Sequence, residues 1–226
     1  MRKLSIVATP IGNLGDITVR ALETLKAADA IACEDTRVTS KLLARYDIQK
    51  PLLIFHARSG ALAASRVLSL LSDGKHIALV TDAGTPGISD PGSALVALVR
   101  EHFGTEVCIE ALPGPSAVTA ALSIAGLPTA SFVFLGFLPN KKGRQTLFKE
   151  IANEKRTVVF YESPHRIEKT LISLVEILPQ KRQVAVCREL TKIHEEVVLG
   201  SAEEVQTYFV AHSEHLRGEF VVIVAP

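Results

Sequence analysis

Three loops rich in glycine, proline and hydroxyl or carboxylate side chains are the first places where this chain could bind a ligand. Each follows a short apolar run: Thr9-Pro-Ile-Gly-Asn-Leu-Gly-Asp16, Asp82-Ala-Gly-Thr-Pro-Gly-Ile-Ser-Asp-Pro-Gly92 and Pro113-Gly-Pro-Ser-Ala117. Glycine lets the backbone turn sharply and come close to a ligand, which then meets main-chain N–H groups. A purely structural strand-to-helix turn can have the same composition. Because three such loops occur together, and loops at the carboxyl ends of strands meet at one crevice in an open α/β sheet, we predict a binding site there.

Charged side chains follow three other predicted strands. Glu34-Asp-Thr-Arg37 holds two carboxylates and a guanidinium, which could orient a substrate or cap the helix that follows. Tyr161-Glu-Ser-Pro-His-Arg166 opens a predicted helix whose positive end suits an anionic group; alternatively, Ser163 caps that helix and Arg166 lies on the surface. Arg188-Glu-Leu-Thr-Lys192 also ends a strand, so loops from both halves of the chain could present charge to a shared cleft.

Several chemistries lack their usual sequence patterns. No H-E-x-x-H or H-x-x-x-H metal pattern, nucleophile elbow, P-loop or G-x-G-x-x-G fingerprint is present, which argues against a metal site and against hydrolase, P-loop and standard dinucleotide chemistry. His212 and His215 are expected to form a solvated surface pair. Cys33, Cys108 and Cys187 are widely spaced in or beside apolar runs, so we expect free thiols packed as small hydrophobes in a reducing, cytoplasmic compartment.

The composition is that of a soluble globular protein with balanced charge. Of 226 residues, 25 are Lys or Arg and 24 are Asp or Glu, while 47% are hydrophobic and 22% charged. Contact with nucleic acid must therefore come from local patches, such as the basic cluster Lys141-Lys-Gly-Arg144. The uncharged stretch 111–140 is long enough to span a bilayer, but prolines and glycines divide it, so we predict a short helix and a strand buried in the protein, and no membrane contact.

Strands alternating with helices are predicted to position these loops. In the first half the predicted strands are Leu4–Ala8, Ala30–Cys33, Leu52–Phe55, Ile77–Val80 and Val107–Ile109, and one of the intervening helices is predicted over Thr39–Tyr46. Near-continuous apolar strands separated by helices predict a parallel sheet covered on both faces. In the second half, the link between Val184–Cys187 and Glu195–Leu199 is too short for a parallel crossover, which predicts an antiparallel pair and a mixed second sheet. We therefore predict two domains, residues 1–115 and 116–226.

The six motifs, in this order, closely resemble the rRNA-methylating branch of the tetrapyrrole methylase superfamily, the class III methyltransferases, over nearly the whole chain. The resemblance implies a two-domain α/β fold with a parallel N-terminal sheet, a mixed C-terminal sheet and a cleft between them for S-adenosyl-L-methionine. It also implies a homodimer that acts on 16S rRNA, either naked or in the 30S subunit. The reaction implied is 2'-O-methylation of a cytidine in the decoding region.

Site residues are implied by the positions that match the family's motifs. The implied cofactor contacts are Pro10, Gly12, Asp82, Gly84, Thr85, Pro86, Gly87, Ile88, Pro113, Gly114, Ser116, Ala117, Tyr161, Arg188 and Glu219. A ribose hydroxyl is a poor nucleophile, so a base or a polarising cation should lie beside it. We expect Lys192 in that role, with Asp35 and Glu189 behind it. The expected phosphate contacts are Arg37, Arg144 and Arg166.

Two other functions stay open at this point. A methyltransferase acting on a corrin precursor would share the fold and cofactor site but would need a broad apolar trough. A non-catalytic RNA or nucleotide sensor could use every loop without turnover. Two departures from the family pattern bear on the substrate: His56-Ala-Arg-Ser-Gly60 is less acidic and amide-rich than usual, and members commonly continue past the strand ending at Ala225 into a small helical domain, without which we expect weaker RNA affinity.

Overall fold

A computed structural model describes residues 2–56 and 60–226 and divides the chain into two compact units, Met1–Ser116 and Ala117–Pro226. The run 57–59, which carries most of the departure from the family pattern after His56, lies outside the described residues.

The first unit contains a five-stranded parallel sheet, as predicted. Its strands are β1 (Lys3–Val7), β2 (Ala30–Cys33), β3 (Leu52–Ile54), β4 (His76–Leu79) and β5 (Cys108–Leu112). The order is β3-β2-β4-β1-β5, and every pairing is parallel. All the carboxyl ends therefore lie at one edge, where the loops after β1, β2, β4 and β5 are neighbours.

Helices cover both faces of this sheet. They are α1 (Val19–Ala27), α2 (Thr36–Arg45), α3 (Gly60–Ser72) and α4 (Gly92–Phe103). Leu25 of α1 and Leu43 of α2 belong to one buried cluster, whereas Val67 of α3 and Leu95 of α4 belong to another. The apolar strands are buried on both sides, which confirms the predicted doubly covered sheet.

The second unit contains the predicted mixed sheet. Its strands are β6 (Phe132–Phe137), β7 (Thr157–Glu162), β8 (Gln183–Arg188), β9 (Glu196–Ser201) and β10 (Phe220–Val224), in the order β6-β7-β10-β8-β9. Only the β6–β7 pairing is parallel among these described strands, and β8 pairs antiparallel with β9 as the short link predicted.

Three helices of this unit pack on one face of its sheet and a fourth on the other. The helices are α5 (Ala117–Ile124), α6 (Arg144–Asn153), α7 (Ile167–Ile177) and α8 (Ala202–Ala211). Phe148 of α6, Leu171 of α7 and Phe209 of α8 share a buried cluster with Phe160 of β7. Strand residues alternate between faces, and on the opposite face Cys187 Sγ lies 3.9 Å from Ala121 O of α5.

Two helix starts differ from the prediction. The helix predicted from Thr39 begins at Thr36, because Asp35 caps it by accepting a hydrogen bond from Arg37 N at 2.8 Å. The helix predicted to be capped by Ser163 begins at Ile167. The Ser163 hydroxyl accepts a hydrogen bond from Arg166 Nε at 3.2 Å, so it is engaged by a side chain and residues 164–166 form a turn.

The uncharged stretch 111–140 forms the predicted helix and strand, α5 and β6, but it is less buried than predicted. Ile124, Phe132 and Phe137 have exposed fractions of 46%, 42% and 54%. The exposure of Phe132 and Phe137 follows from topology, because β6 is an edge strand of its sheet. Within residues 2–56 and 60–226, no helix combines the length and apolar character needed to cross a bilayer.

Two expectations, about the cysteines and about the histidine pair, were confirmed only in part. Cys33 and Cys187 are buried as predicted, but Cys108 is exposed because it lies on the edge strand β5. His212 and His215 are half-buried: the ring of His212 stacks on Tyr208 at 4.3 Å, and His215 Nδ1 lies 3.0 Å from Glu196 Oε2.

Candidate active site

Main-chain hydrogen bonds join the loops after β1 and β4. Thr9 N donates to Gly84 O at 2.9 Å, and Gly84 N donates to Thr9 O at 3.0 Å. Gly84 has a φ of 82°, a conformation that favours glycine and that this two-way bond requires. Thr85 Oγ1 donates to Pro115 O at 3.0 Å, which connects the loop after β5 to the same framework. The structure therefore brings together the three loops that the sequence singled out in the first half.

Asp90 holds the second half of the loop after β4 against the start of α4. Its Oδ1 accepts hydrogen bonds from Gly87 N at 2.9 Å and from Gly92 N. Its Oδ2 is buried and has no partner within the described chain. One carboxylate oxygen thus fixes the turn, while the other keeps an acceptor whose hydrogen-bonding capacity is unused.

A second carboxylate group accompanies this loop. Asp82 Oδ1 accepts a hydrogen bond from Asp35 N at 3.1 Å, which connects the loops after β2 and β4. Partial burial raises the pKa of Glu34, and the charges of Asp82 and Asp90 raise it further. Burial likewise raises the pKa of Asp82. Carboxylates that repel one another in this way create a negative potential that a bound cation would relieve.

This donor set fits the methyl donor that the family resemblance implies. S-adenosylmethionine carries a positive sulfonium and ammonium together with ribose hydroxyls, and carboxylates such as Glu34 and Asp82 are suitable partners for all of these groups.

Asp35 is engaged in local interactions. Its carboxylate caps α2 and forms a salt bridge with Arg37 Nη2 at 2.5 Å. Hydrogen bonds from Arg37 lower the pKa of Asp35 to about 2. A carboxylate with so low a pKa is a weak base, which makes Asp35 a poor proton acceptor.

In the second unit, Lys192 lies between two carboxylates. Its Nζ donates to Glu189 Oε1 at 2.7 Å and to Glu219 Oε2 at 2.9 Å. Glu219 N also donates to Glu189 Oε1 at 2.9 Å. We call Glu189, Lys192 and Glu219 the Lys192 triad.

Strained backbone surrounds the Lys192 triad. Glu189 and Thr191 have φ values of 51° and 67°, which are uncommon for residues with side chains. A Cβ atom on Gly218, whose φ is 100°, would lie 2.5 Å from Glu189 Oε1. Backbone strain of this kind is retained where the surrounding structure fixes it, and it is concentrated at functional sites.

The triad keeps Lys192 charged. Partial burial by itself lowers the pKa of Lys192, but hydrogen bonds and charges from Glu189 and Glu219 outweigh it, so the pKa is raised above its ordinary value. Lys192 is therefore suited to polarise an oxygen as a cation and poorly suited to accept a proton.

Two further predicted residues of the second unit are well anchored. Arg188, at the end of β8, is only 8% exposed and donates from Nε to Arg217 O at 2.7 Å. Tyr161 lies near the end of β7, with its ring 5.0 Å from that of Phe134 and 5.3 Å from that of Phe137. Burial raises the pKa of the Tyr161 phenol, so the hydroxyl stays protonated at neutral pH.

Arg144 and Arg166, predicted as phosphate contacts, surround a buried carboxylate instead. Glu162 is 2% exposed and lies 2.8 Å from Arg166 Nε and 3.6 Å from Arg144 Nη2. Thr170 Oγ1 donates to Glu162 Oε2, the oxygen nearer Arg144, at 2.7 Å. Sequence reasoning treated Glu162 only as part of a motif. The signal that could have identified it is the spacing of four residues between Glu162 and Arg166.

The remaining predicted contacts differ in exposure. Those that are exposed are Gly12, Ile88, Pro113, Gly114 and the phosphate contact Arg37. Pro10 and Pro86 are buried, and Ser116 and Ala117 are half-buried. Tyr161, Arg188 and Glu219 belong to the second unit. Within the described ranges, no three His, Cys, Asp or Glu side chains are grouped to hold a metal ion.

Comparison with known proteins identifies the class to which this fold and these loops belong. The sequence model of the Tetrapyrrole (Corrin/Porphyrin) Methylases matches residues 3–206. The chain therefore belongs to the tetrapyrrole methylase family, which confirms the predicted fold class and makes the protein a methyltransferase.

Within that family, the predicted resemblance to the rRNA-methylating branch is also confirmed. The chain is 44% identical to Ribosomal RNA small subunit methyltransferase I from Thermotoga maritima, covering 100% of this chain and 99% of that protein. Among solved structures, the methyltransferase CobJ matches with a TM-score of 0.72 at 22% identity over 100% of this chain and 94% of the other. Uroporphyrin-III C-methyl transferase from Thermus thermophilus, complexed with S-adenyl homocysteine, matches with a TM-score of 0.66 at 17% identity, covering 99% and 97%.

Proposed function

We propose that this enzyme methylates ribosomal RNA of the small subunit, using S-adenosyl-L-methionine as the methyl donor. The proposed acceptor is the 2'-oxygen of a cytidine in the decoding region of 16S rRNA. The observation that carries the proposal is the joined set of loops in the first unit, held together through Thr9 and Gly84 and surrounded by carboxylates that fit the donor. Support for RNA as the substrate class comes from the Thermotoga relative, which is named for it.

The first unit would bind the donor. When bound, S-adenosylmethionine supplies an electrophilic methyl group on a positively charged sulfur. Glu34 and Asp82 would hold its cationic and hydroxyl groups, and the backbone of residues 82–89 and 113–117 would contact the rest. Because these loops are tied to one another, their backbone would be held in place before the ligand arrives, and little conformational entropy would be lost on binding.

The second unit would prepare the acceptor oxygen. Lys192, kept as a cation by Glu189 and Glu219, would lower the energy of negative charge that develops on the ribose oxygen. The oxygen would take the methyl group as its bond to sulfur breaks, which leaves S-adenosylhomocysteine, and the hydroxyl proton would pass to solvent water. Glu189 would position Lys192, and Asp35 would act through the geometry of α2. Arg188 and Tyr161 would complete the walls around the donor.

RNA binding, assembly and location complete the proposal. Arg37, with a side chain 85% exposed, remains a candidate phosphate contact, whereas Arg144 and Arg166 are engaged by Glu162. We propose that the protein acts in the cytoplasm as a homodimer on 16S rRNA, either naked or in the 30S subunit.

The proposal is tested by two measurements on the purified protein. Calorimetry with S-adenosylmethionine and S-adenosylhomocysteine should show saturable binding. Tritium transfer from the labelled donor should occur with 30S particles or naked 16S rRNA and be absent with a corrinoid precursor. No heat with either ligand, or transfer to the corrinoid alone, would overturn the proposal.

A further inference from the structure

A hollow of about 490 Å³ on the second unit lies between residues 137–140 and the turn that carries Ser163, His165 and Arg166. We call it the Phe137 hollow. It combines an exposed aromatic ring, an amide and an imidazole, and two exposed lysines follow Asn140 in the sequence.

Phe137 offers a supported aromatic surface. It is the last residue of β6, is 54% exposed, and packs at a tilt against Tyr161 with ring centres 5.3 Å apart. The ring thus contacts Tyr161 on one side, while the residue as a whole remains more than half exposed. An aromatic side chain presented in this way is a stacking surface for an unpaired nucleobase.

Asn140 presents a hydrogen-bond donor in a fixed orientation. Its Oδ1 accepts from Arg166 Nη1 at 2.5 Å, and the same Nη1 donates to Leu138 O at 2.7 Å. Because the carbonyl oxygen is used by an arginine, the amide nitrogen points away from it. That nitrogen has no hydrogen-bond partner in the described chain, so it can donate to a carbonyl or ring-nitrogen acceptor on a base edge.

Two exposed lysines next to Asn140 in the sequence could complement a nucleic-acid backbone. Lys141 and Lys142 are exposed and directly follow Asn140. The nearby carboxylate, Glu162, is buried and paired with Arg144 and Arg166, so it adds no uncompensated negative charge. These lysines are the candidate phosphate contacts beside the hollow, and an attraction of this kind should weaken as salt increases.

We propose that the Phe137 hollow binds one unstacked nucleotide of the RNA substrate. The base stacks on Phe137, its edge accepts a hydrogen bond from Asn140, and the adjoining phosphates lie against Lys141 and Lys142. This inference rests on the proposed function, since it assigns a subsite for the same RNA. It also replaces Arg144 and Arg166 as phosphate contacts by the two lysines.

The test compares two exposed phenylalanines on one strand. Phe137→Ala removes the stacking ring, and Phe132→Ala at the other end of β6 is the matched control, because Phe132 is 42% exposed and does not line the hollow. With a fluorescein-labelled single-stranded oligocytidylate as the probe, we expect Phe137→Ala to weaken binding by roughly tenfold to a hundredfold, the range of one base stack. Phe137→Tyr should retain affinity. Equal affinities for the two alanine variants would overturn the inference.

Two further readouts separate this inference from the proposed function. Donor affinity by calorimetry should be the same in Phe137→Ala and wild type, and light scattering should show the same oligomeric state. If wild type and Phe137→Ala methylated 30S particles equally well, the inference about the Phe137 hollow would be refuted and the proposed function would stand. If Phe137→Ala lost RNA affinity only because it dissociated into monomers, Phe137 would be covered by a second copy of the chain. That result would also overturn the inference.

Discussion

Gly218 leaves the space that the side chain of Glu189 occupies, since a Cβ atom on Gly218 would lie 2.5 Å from Glu189 Oε1 and 2.6 Å from its Cγ. The carboxylate placed there is the one that receives the hydrogen bond from Lys192 at 2.7 Å. Gly218 thus leaves room for Glu189, and Glu189 in turn holds Lys192, the proposed catalytic cation.

We predict that Gly218→Ala displaces Glu189 and lowers methylation sharply while donor binding is retained. It should also reduce the free energy of unfolding by more than about 1 kcal/mol, because alanine is strained at positive φ. Gly126→Ala is the control, since Gly126 has a φ of 68° but no atom within 4 Å of the added Cβ. Urea unfolding and tritium transfer check both effects. Equal activity losses in the two variants would mean that backbone strain alone is responsible.

Lys192→Met should reduce the methylation rate by about a hundredfold or more, because a preorganised charge at the developing oxyanion is lost. Donor affinity should be unchanged. Because the pKa of Lys192 is raised, the wild-type rate should show no rise with pH that depends on deprotonating this residue. Rates of Lys192→Met and wild type measured across neutral and mildly basic pH check this. If the methylation rate of the wild type, but not of Lys192→Met, rose as pH approached the ordinary pKa of lysine, Lys192 would be acting as a base.

Glu34→Gln should stabilise the ligand-free protein and weaken donor binding. The folded state raises the pKa of Glu34, so ionisation costs folding free energy as pH rises through that range, and glutamine removes this cost. Losing a charged hydrogen bond to the donor should lower affinity by roughly tenfold to a hundredfold. Thermal unfolding at neutral pH measures the change in stability, and calorimetry measures the change in donor affinity. Glu101→Gln, near the C-terminal end of α4, is the control. A variant that is both less stable and equally tight-binding would contradict the prediction.

Glu162→Ala should destabilise the second unit by about 3–5 kcal/mol, because it leaves two largely buried guanidinium groups without their shared carboxylate. Arg144→Glu should also be destabilising, because it would bring a second carboxylate close to the buried Glu162. Glu106→Ala, which breaks the exposed Arg2–Glu106 pair, should have little effect. Chemical unfolding of the three variants checks the order. Wild-type stability in Glu162→Ala would show that the buried pair contributes nothing.

Asp35→Asn should retain methylation, and Asp35→Ala should lower the thermal unfolding temperature. Asparagine can still cap α2, whereas alanine cannot. Carboxyl NMR should find the Asp35 pKa at about 2, rising when Arg37 is replaced by alanine. If the folded Asp35→Asn variant lost methylation, Asp35 would have the catalytic role expected from the sequence.

The parts of the fold that could be predicted are those whose physical cause is local in sequence. Strands buried on both faces must be apolar throughout, so β2 and β4 and their parallel arrangement were visible in the pattern. The short link between β8 and β9 excluded a parallel pairing. Loop composition likewise located the residues that the structure joins through Thr9 and Gly84.

The parts that could not be predicted depend on partners distant in sequence. Arg144 and Arg166 resemble free phosphate contacts until the fold places both beside Glu162. The cap predicted at Ser163 fails because Arg166 takes its hydroxyl. Exposure of Phe132 and Phe137 depends on β6 being an edge strand, which requires the whole sheet order.

The bond pair between Thr9 and Gly84 uses only peptide groups, and these are the same whatever side chain a residue carries. Mutation can therefore replace neighbouring side chains while the shape of the paired turns persists. A scaffold of this kind can keep the binding site for one methyl donor while selection changes the surfaces that bind the substrate.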